Sequence, residues 1–337
     1  KDLGDLRGKT TRAKPEAVVI KPRPVYGELE PVTVSLDIMM IDQILFLVGV
    51  SKGIGLITSV NLESKERADL MEAIRKIQSL YKAHGRVITH VLCDGEGGVK
   101  AAEADLGYMG IKLNPAAKGE HVPQAERAIR TIKERVRAFK TTLPFPLTRM
   151  MMVHLVYHCV AGINMVPKNE RDQSPREIFT GKKVDFKTDC RAEFGAYCQV
   201  HEDNEVTNTM TSSVTVAIAI GPTGNVQGSY KFLSLSTWRI IIRRSFDVLP
   251  MPSEVMKLIT DRVIWENNSD KAKMSQRKLE LAGVSPSEPN RGTSHTRTVQ
   301  GTGETREENI QKEGSEIVVE EGTIHPEDSQ LALITWA

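Results

Sequence analysis

Three acidic side chains stand where their chemistry needs explaining. Asp37 falls in the middle of an apolar run, Val-Ser-Leu-Asp-Ile-Met-Met over 34–40. An Asp inside a strand disfavours the strand and carries a desolvation penalty. Asp94 closes a second apolar run in Val-Leu-Cys-Asp-Gly-Glu-Gly-Gly over 91–98, where the glycines permit a sharp turn just past the carboxylate. Glu126 follows Pro123, a residue suited to the first turn of a helix. That helix carries an apolar stripe at Ala125, Ile129, Ile132, Val136 and Phe139. Displaced by one residue is a second row, Glu126, Arg130, Lys133 and Arg137, so one carboxylate leads three cations round from the core face. Carboxylates held close together repel unless a cation sits between them. Three hard oxygen ligands with open positions suit Mg²⁺ or Mn²⁺, and a pair of such ions about 3.5–4 Å apart activates a hydroxyl and stabilises the leaving oxygen of a phosphodiester. Cations at Arg130, Lys133 and Arg137 then suit phosphates of a nucleic acid. Each part also has an ordinary reading: Asp-Gly as a plain turn, an early helical Glu as a dipole partner, a basic row as a solvated face. Asp42 is the rival to Asp37 if the strand register differs.

The elements that must position these groups follow from periodicity. Apolar runs at 32–40, 44–50 and 54–60, parted by Asp42-Gln43 and Ser51-Lys52-Gly53, predict three antiparallel strands. A helix from a Ser64 cap to about His84 has its stripe at Leu70, Ile74, Ile77 and Tyr81, and Gly85 ends it. A strand at 86–93, a helix at 99–108, a strand at 111–114 and a helix at 123–140 complete the order β-β-β-α-β-α-β-α. That order is the ribonuclease-H-like arrangement, a mixed sheet with flanking helices in which the first and fourth strands are neighbours. Asp37 and Asp94 are then expected to face each other, with Glu126 converging on them. An apolar helix at 147–164 and a short helix at 174–180 come next. Strands at 194–200, 214–220, 230–234 and 238–246 follow, with Gly221, Gly224 and Gly228 in turns. The expected organisation is α/β: an extended basic arm at 1–31, a catalytic core at 32–165, a helical connector at 166–193, a small all-β module at 194–265 and a disordered acidic tail at 266–337.

Charge supports that division. Residues 275–337 hold six basic and eleven acidic side chains, leaving 39 basic and 32 acidic ones in 1–274, so a mildly basic body carries an acidic tail. A basic body fits a nucleic-acid partner. The four cysteines form no close pair and suggest no disulfide framework. The most apolar stretch, 147–166, is interrupted by Arg149, His154, His158 and Asn164, so a buried helix is expected and no membrane partner. His154 and His158 share a helix face, but in apolar surroundings without an intervening Glu they read as packing groups. Cys93 reads as a core side chain on the strand face opposite Asp94. Lys182, Lys183, Arg243 and Arg244 read as DNA contacts or as solvated charge.

Several segments resemble the Copia-type (Pseudoviridae-like) retrotransposon integrases over roughly residues 8–250. The run at 91–98 resembles the second-aspartate motif of that family, and Pro-Gln-Ala-Glu-Arg-Ala-Ile-Arg-Thr-Ile-Lys at 123–133 resembles its Ala-Glu-Arg helix. Ser-Pro-Arg-Glu-Ile-Phe-Thr-Gly-Lys-Lys at 174–183 is similar to the family's Thr-Pro-Tyr-Glu-Leu-Trp-Thr-Gly-Lys-Lys, and Phe-Gly-Ala-Tyr-Cys at 194–198 to the strand beyond it. Gly-Lys-Thr-Thr-Arg at 8–12 resembles the stretch just after the family's zinc-binding module.

The resemblance implies metal-dependent DNA strand transfer, in which a 3′-hydroxyl of an element end attacks target DNA. Asp37, Asp94 and Glu126 would hold the ions. It also implies a homo-oligomer, and a protein carried in a cytoplasmic particle before acting in the nucleus. A second reading stays open: a catalytically inactive DNA-binding or assembly remnant of a retrotransposon polyprotein. It is favoured by the 31 residues between Asp94 and Glu126, a shorter interval than the family's usual one.

Overall fold

The computed structural model describes residues 29–93, 101–115, 123–168, 171–201, 214–225 and 228–281. Its first sheet contains β1 (Glu30–Ile41), β2 (Ile44–Ser51), β3 (Ile57–Leu62), β4 (Arg86–Cys93) and β5 (Lys112–Pro115), in spatial order β3-β2-β1-β4-β5. The first three strands pair antiparallel, and β1–β4 and β4–β5 pair parallel. Helix α1 (Arg67–Ala83) links β3 to β4 and α2 (Glu103–Tyr108) precedes β5. This is the ribonuclease-H-like mixed sheet expected from the sequence.

The hairpin between β1 and β2 turns on Asp42 and Gln43, both in the left-handed region at φ 46° and 64°. Two consecutive left-handed residues make the tight turn whose twist suits a hairpin. The third strand starts three residues later than periodicity suggests. Gly53 and Gly55 adopt φ 86° and 75°, and Leu56 N donates to Ser51 Oγ at 3.1 Å, so the apolar residues Ile54 and Leu56 belong to a turn. Ser64 is not the cap of α1. Its hydroxyl donates to the Asp69 carboxylate at 2.6 Å, ahead of Glu66 at the N-cap position.

Alternation along β1 sends its residues to two cores. Val34 and Leu36 join Leu47, Val60 and the α1 residues Leu70, Ile74, Ile77 and Tyr81. Met39 joins Phe46 and Val48 on the opposite face. That face is covered by α3 (Pro123–Thr142) and α4 (Arg149–Met165), which contribute Ile132, Val136, Leu155 and Val156. Thr148 caps α4 by accepting from Met151 N at 3.2 Å. Helix α4 is buried around most of its circumference because a second sheet covers its other side, with Ile218 and Leu233 in the same cluster. An all-round apolar helix is the signature of such a position.

After α5 (Pro175–Thr180) and α6 (Phe186–Asp189) come β6 (Tyr197–His201), β7 (Val214–Pro222), β8 (Tyr230–Ser234), β9 (Ile240–Arg243) and β10 (Phe246–Val248), in order β10-β6-β7-β8-β9. The last strand returns to pair antiparallel with the first. The single strand expected over 238–246 is two, because Trp238 takes φ 55° and a bend separates Arg243 from Phe246. Both faces of this stretch pack: Trp238 and Ile240 lie toward α4, whereas Ile241 packs on the sheet's other side with Phe232 and Phe246.

Helix α7 (Ser253–Leu281) was not expected. It runs past residue 266, where the sequence reading begins a disordered tail. Ala272, Lys273, Gln276, Arg277, Lys278 and Leu279 are strong helix formers, which explains the difference. Residues 282–337 lie outside the described residues. Two compact units meet at Val263 and Ile264, and both sheets belong to the first. Among the described residues no helix is long and apolar enough to cross a membrane.

Candidate metal and nucleic-acid site

Asp37 sits half-buried in β1, paired in register with Val48 of β2. Alternation puts it on the face of Met39 and Val48, which is the face covered by α3 and α4. The last described pair between β1 and β4 is Leu36 with Cys93. One residue further along β1, Ile38 N donates to Asp37 Oδ1 at 2.7 Å. The carboxylate therefore accepts from a backbone donor of its own strand.

Helix α3 is pinned at its far end. Lys140 Nζ donates to Asp42 Oδ2 at 2.6 Å, joining the last turn of the helix to the β1–β2 hairpin. Asp42 thus has a lysine partner at an exposed turn beyond the end of β1. Asp37 precedes Asp42 by five residues, about 16 Å of strand. Glu126 precedes Lys140 by 14 residues, about 21 Å of helix. Because Ala128, Ile132 and Val136 pack against the sheet face, α3 runs from its pinned end back over β1 toward the Asp37 end. Glu126 is exposed in its first turn, where a negative charge also complements the helix dipole. Arg130, Lys133 and Arg137 are all exposed, as the displaced-row reading requires.

Asp94 lies outside the described residues. Among the described residues no group of three His, Cys, Asp or Glu side chains is arranged to hold a metal ion. The chain's donor chemistry nonetheless fits a hard divalent cation, since all three expected ligands are carboxylates.

The other chemistry-bearing residues are structural. His154 is buried and His158 half-buried, both against aromatic rings, His158 lying edge-on to Phe139 with centroids 5.2 Å apart. Burial, with a contribution from Lys231, pushes the His154 pKa down to about 3, and burial pushes that of His158 down to about 4. Cys93 is buried in the core on the α1 side of the sheet. Burial pushes the thiols of Cys159 and Cys198 up to about 12, which leaves them protonated and unreactive.

Arg86 was missed by sequence reasoning. It donates to Phe179 O at 2.7 Å and Ile178 O at 3.2 Å, holding the C-terminal carbonyls of α5. Phe179 packs on Tyr81 and His84 with centroids 5.0 and 4.5 Å apart. Ser174 and Glu177 form a capping box and Gly181 ends the helix at φ 69°. The segment at 174–183 therefore works as a clamp that fastens the connector to α1 and β4, and Arg86 is its unrecognised partner.

No protein-family model matches the chain, and no curated protein matches it. Among solved structures, 324 chains match. The catalytic core domain of BIV integrase is 18% identical with a TM-score of 0.36, the match covering 44% of this chain and 92% of that one. The HTLV-2 integrase catalytic core domain, in complex with magnesium in a trimeric form, is 13% identical with a TM-score of 0.36, covering 45% of this chain and 97% of that one.

Proposed function

We propose that the chain is an integrase-like polynucleotidyl transferase of the Copia type, joining element DNA ends to target DNA. The observation that carries this reading is Asp37, a half-buried carboxylate in mid-strand on the sheet face crossed by α3. Asp disfavours a strand, so one in mid-strand calls for a reason. In this reading Asp37, Asp94 and Glu126 hold divalent metal. Bound there, Mg²⁺ or Mn²⁺ would supply activation of a 3′-hydroxyl and stabilisation of the leaving oxygen. Arg130, Lys133 and Arg137 grip phosphates along the exposed row of α3. Element ends and target are then both DNA, and the working form is a homo-oligomer acting in the nucleus after transport in a cytoplasmic particle.

The test separates chemistry from grip. The full chain is assayed for joining a recessed-end oligonucleotide duplex to supercoiled plasmid in Mn²⁺, beside the same duplex in a binding titration. Asp94→Asn abolishes joining and leaves duplex affinity nearly unchanged, because Asn keeps one acceptor oxygen but loses the charge that retains a hard cation. Lys133→Glu weakens binding and flattens its salt dependence, by about 0.9 in the log–log slope for each phosphate no longer neutralised. Full joining by Asp94→Asn overturns the assignment. A wild-type chain that binds DNA and never joins it supports the inactive-remnant reading.

A further inference from the structure

The outer edge of the first sheet carries a second feature. β3 is an edge strand, and α4 supplies its missing neighbour with side chains. Asn164 accepts from Ile57 N at 2.9 Å and donates to Ile57 O at 2.7 Å, and the Tyr157 hydroxyl accepts from Asn61 N at 3.1 Å. Residues 57 and 61 thus turn their backbone groups outward, and by the two-residue repeat so does Ser59 between them. Among the described residues no side chain bonds to this middle position. Instead a crevice of about 70 Å³ opens there. Its apolar walls are Leu80, Val160, Ala161 and Phe179 together with the ring of Tyr157.

Ser59 lines this crevice and is 4% exposed, yet its Oγ finds no hydrogen-bond partner among the described residues. A buried unpaired hydroxyl is uncommon and carries a penalty of about 1–3 kcal/mol. The crevice is also electrically balanced. Arg176 at its rim donates twice to the Asp189 carboxylate, at 2.7 and 3.2 Å, and burial pushes the Tyr157 phenol up to about 12, so it stays neutral. Asp37, Val48 and Ser59 form one row across β1, β2 and β3. Two strand spacings, about 10 Å, therefore separate this site from the candidate metal site.

We propose that this crevice is a binding site for a small neutral molecule with a flat apolar body and one hydroxyl, the hydroxyl pairing with Ser59 Oγ. Its volume is below that of an engineered cavity of about 150 Å³ that encloses benzene, so a ring enters with one edge left at the mouth. Net neutrality of the lining excludes a charged ligand, whose desolvation nothing there would offset.

The probe is phenol, titrated into the full chain and followed by NMR, with toluene and benzoate as comparisons. Phenol binds saturably at one site, with nuclear Overhauser contacts from its ring protons to the Ala161 methyl group, and benzoate does not bind. Ser59→Ala weakens phenol about fivefold, the loss of one neutral hydrogen bond, and leaves toluene unchanged. Ala161→Leu fills the crevice and abolishes both. The Overhauser contacts are measured on the wild-type chain, so they stand even if Ala161→Leu fails to fold. Absence of saturable phenol binding overturns the proposal. So do Overhauser contacts that map elsewhere, or a Ser59→Ala effect equal for phenol and toluene.

Discussion

Replacing Asp37 by Asn separates a metal ligand from a structural acid without asking the protein to turn over. Asn keeps an acceptor oxygen where Oδ1 now takes the Ile38 N–H at 2.7 Å. The bond changes from charge-assisted to neutral, a loss of about 1 kcal/mol, and relief of repulsion among neighbouring carboxylates opposes it. Metal-free stability should therefore change by about 1 kcal/mol or less. Metal linkage behaves differently. A ligand present at a hundredfold excess over its Kd stabilises a folded protein by about 2.7 kcal/mol. At about 2–4 °C per kcal/mol for domains of this size, Mn²⁺ should raise the wild-type Tm by about 5–11 °C. Asp37→Asn should show almost none of that rise. Asp42→Asn supplies the control, because Asp42 is paired with Lys140 at an exposed turn. That variant should keep the whole rise. Differential scanning fluorimetry across a Mn²⁺ series measures all three. A full metal-dependent rise in Asp37→Asn, or its loss in Asp42→Asn, would refute the placement of the site.

Two further outcomes test the scaffold. Asn164→Ala leaves both the N–H and the C=O of Ile57 without their buried partner, at about 1–3 kcal/mol each, so urea denaturation should show a loss of about 2–6 kcal/mol; less than 1 kcal/mol would mean that water replaces the amide. The histidines make stability depend on pH: both are depressed in the folded chain, to about 3 and 4, so the unfolded chain binds more protons below its own value near 6.5. The contribution is fully present above pH 6.5 and falls as the pH drops toward 4, by about 2 kcal/mol per histidine at pH 5, and His154→Phe should halve that slope in melts taken from pH 7.5 to 5.

Much of this fold is legible in the sequence because burial imposes a period. The helix stripe at Leu70, Ile74, Ile77 and Tyr81 and the stripe from Ala125 to Phe139 are both found at the core. Local periodicity fails where a turn is lined with apolar residues, as at Ile54 and Leu56, and where a single left-handed residue such as Trp238 breaks a run of β-formers. It is blind to contacts between distant segments. Arg86 reads as the first residue of a strand, and nothing near it in the chain announces the α5 carbonyls more than 90 positions away. The Ser59 crevice likewise exists only because β3, α1, α4 and α5 meet there.

The site assignment depends on a feature that no periodicity could reveal. Strict alternation along β4 would put Ile88, His90 and Leu92 on one face. The pairing of β4 with β1 contains a register shift: Val32 faces Ile88, but Thr33 faces His90, so Thr89 is the extra residue of a bulge. Past the bulge the faces exchange. Ile88, Val91 and Cys93 all lie in the core on the α1 side, beside Val34 and Leu36. His90 and Leu92 pair with Thr33 and Ser35, the residues that share a face with Asp37. A pleat without the bulge would keep His90 and Leu92 on the Ile88 face, the other side of the sheet from Asp37. One inserted residue reverses that placement, and bulges are over-represented beside active sites because they re-aim side chains in this way. Deleting Thr89 would therefore drive Ile88 out of the α1-side core or turn the end of β4 away from Asp37. Either outcome should abolish the metal-dependent rise in Tm, even in a chain that still folds.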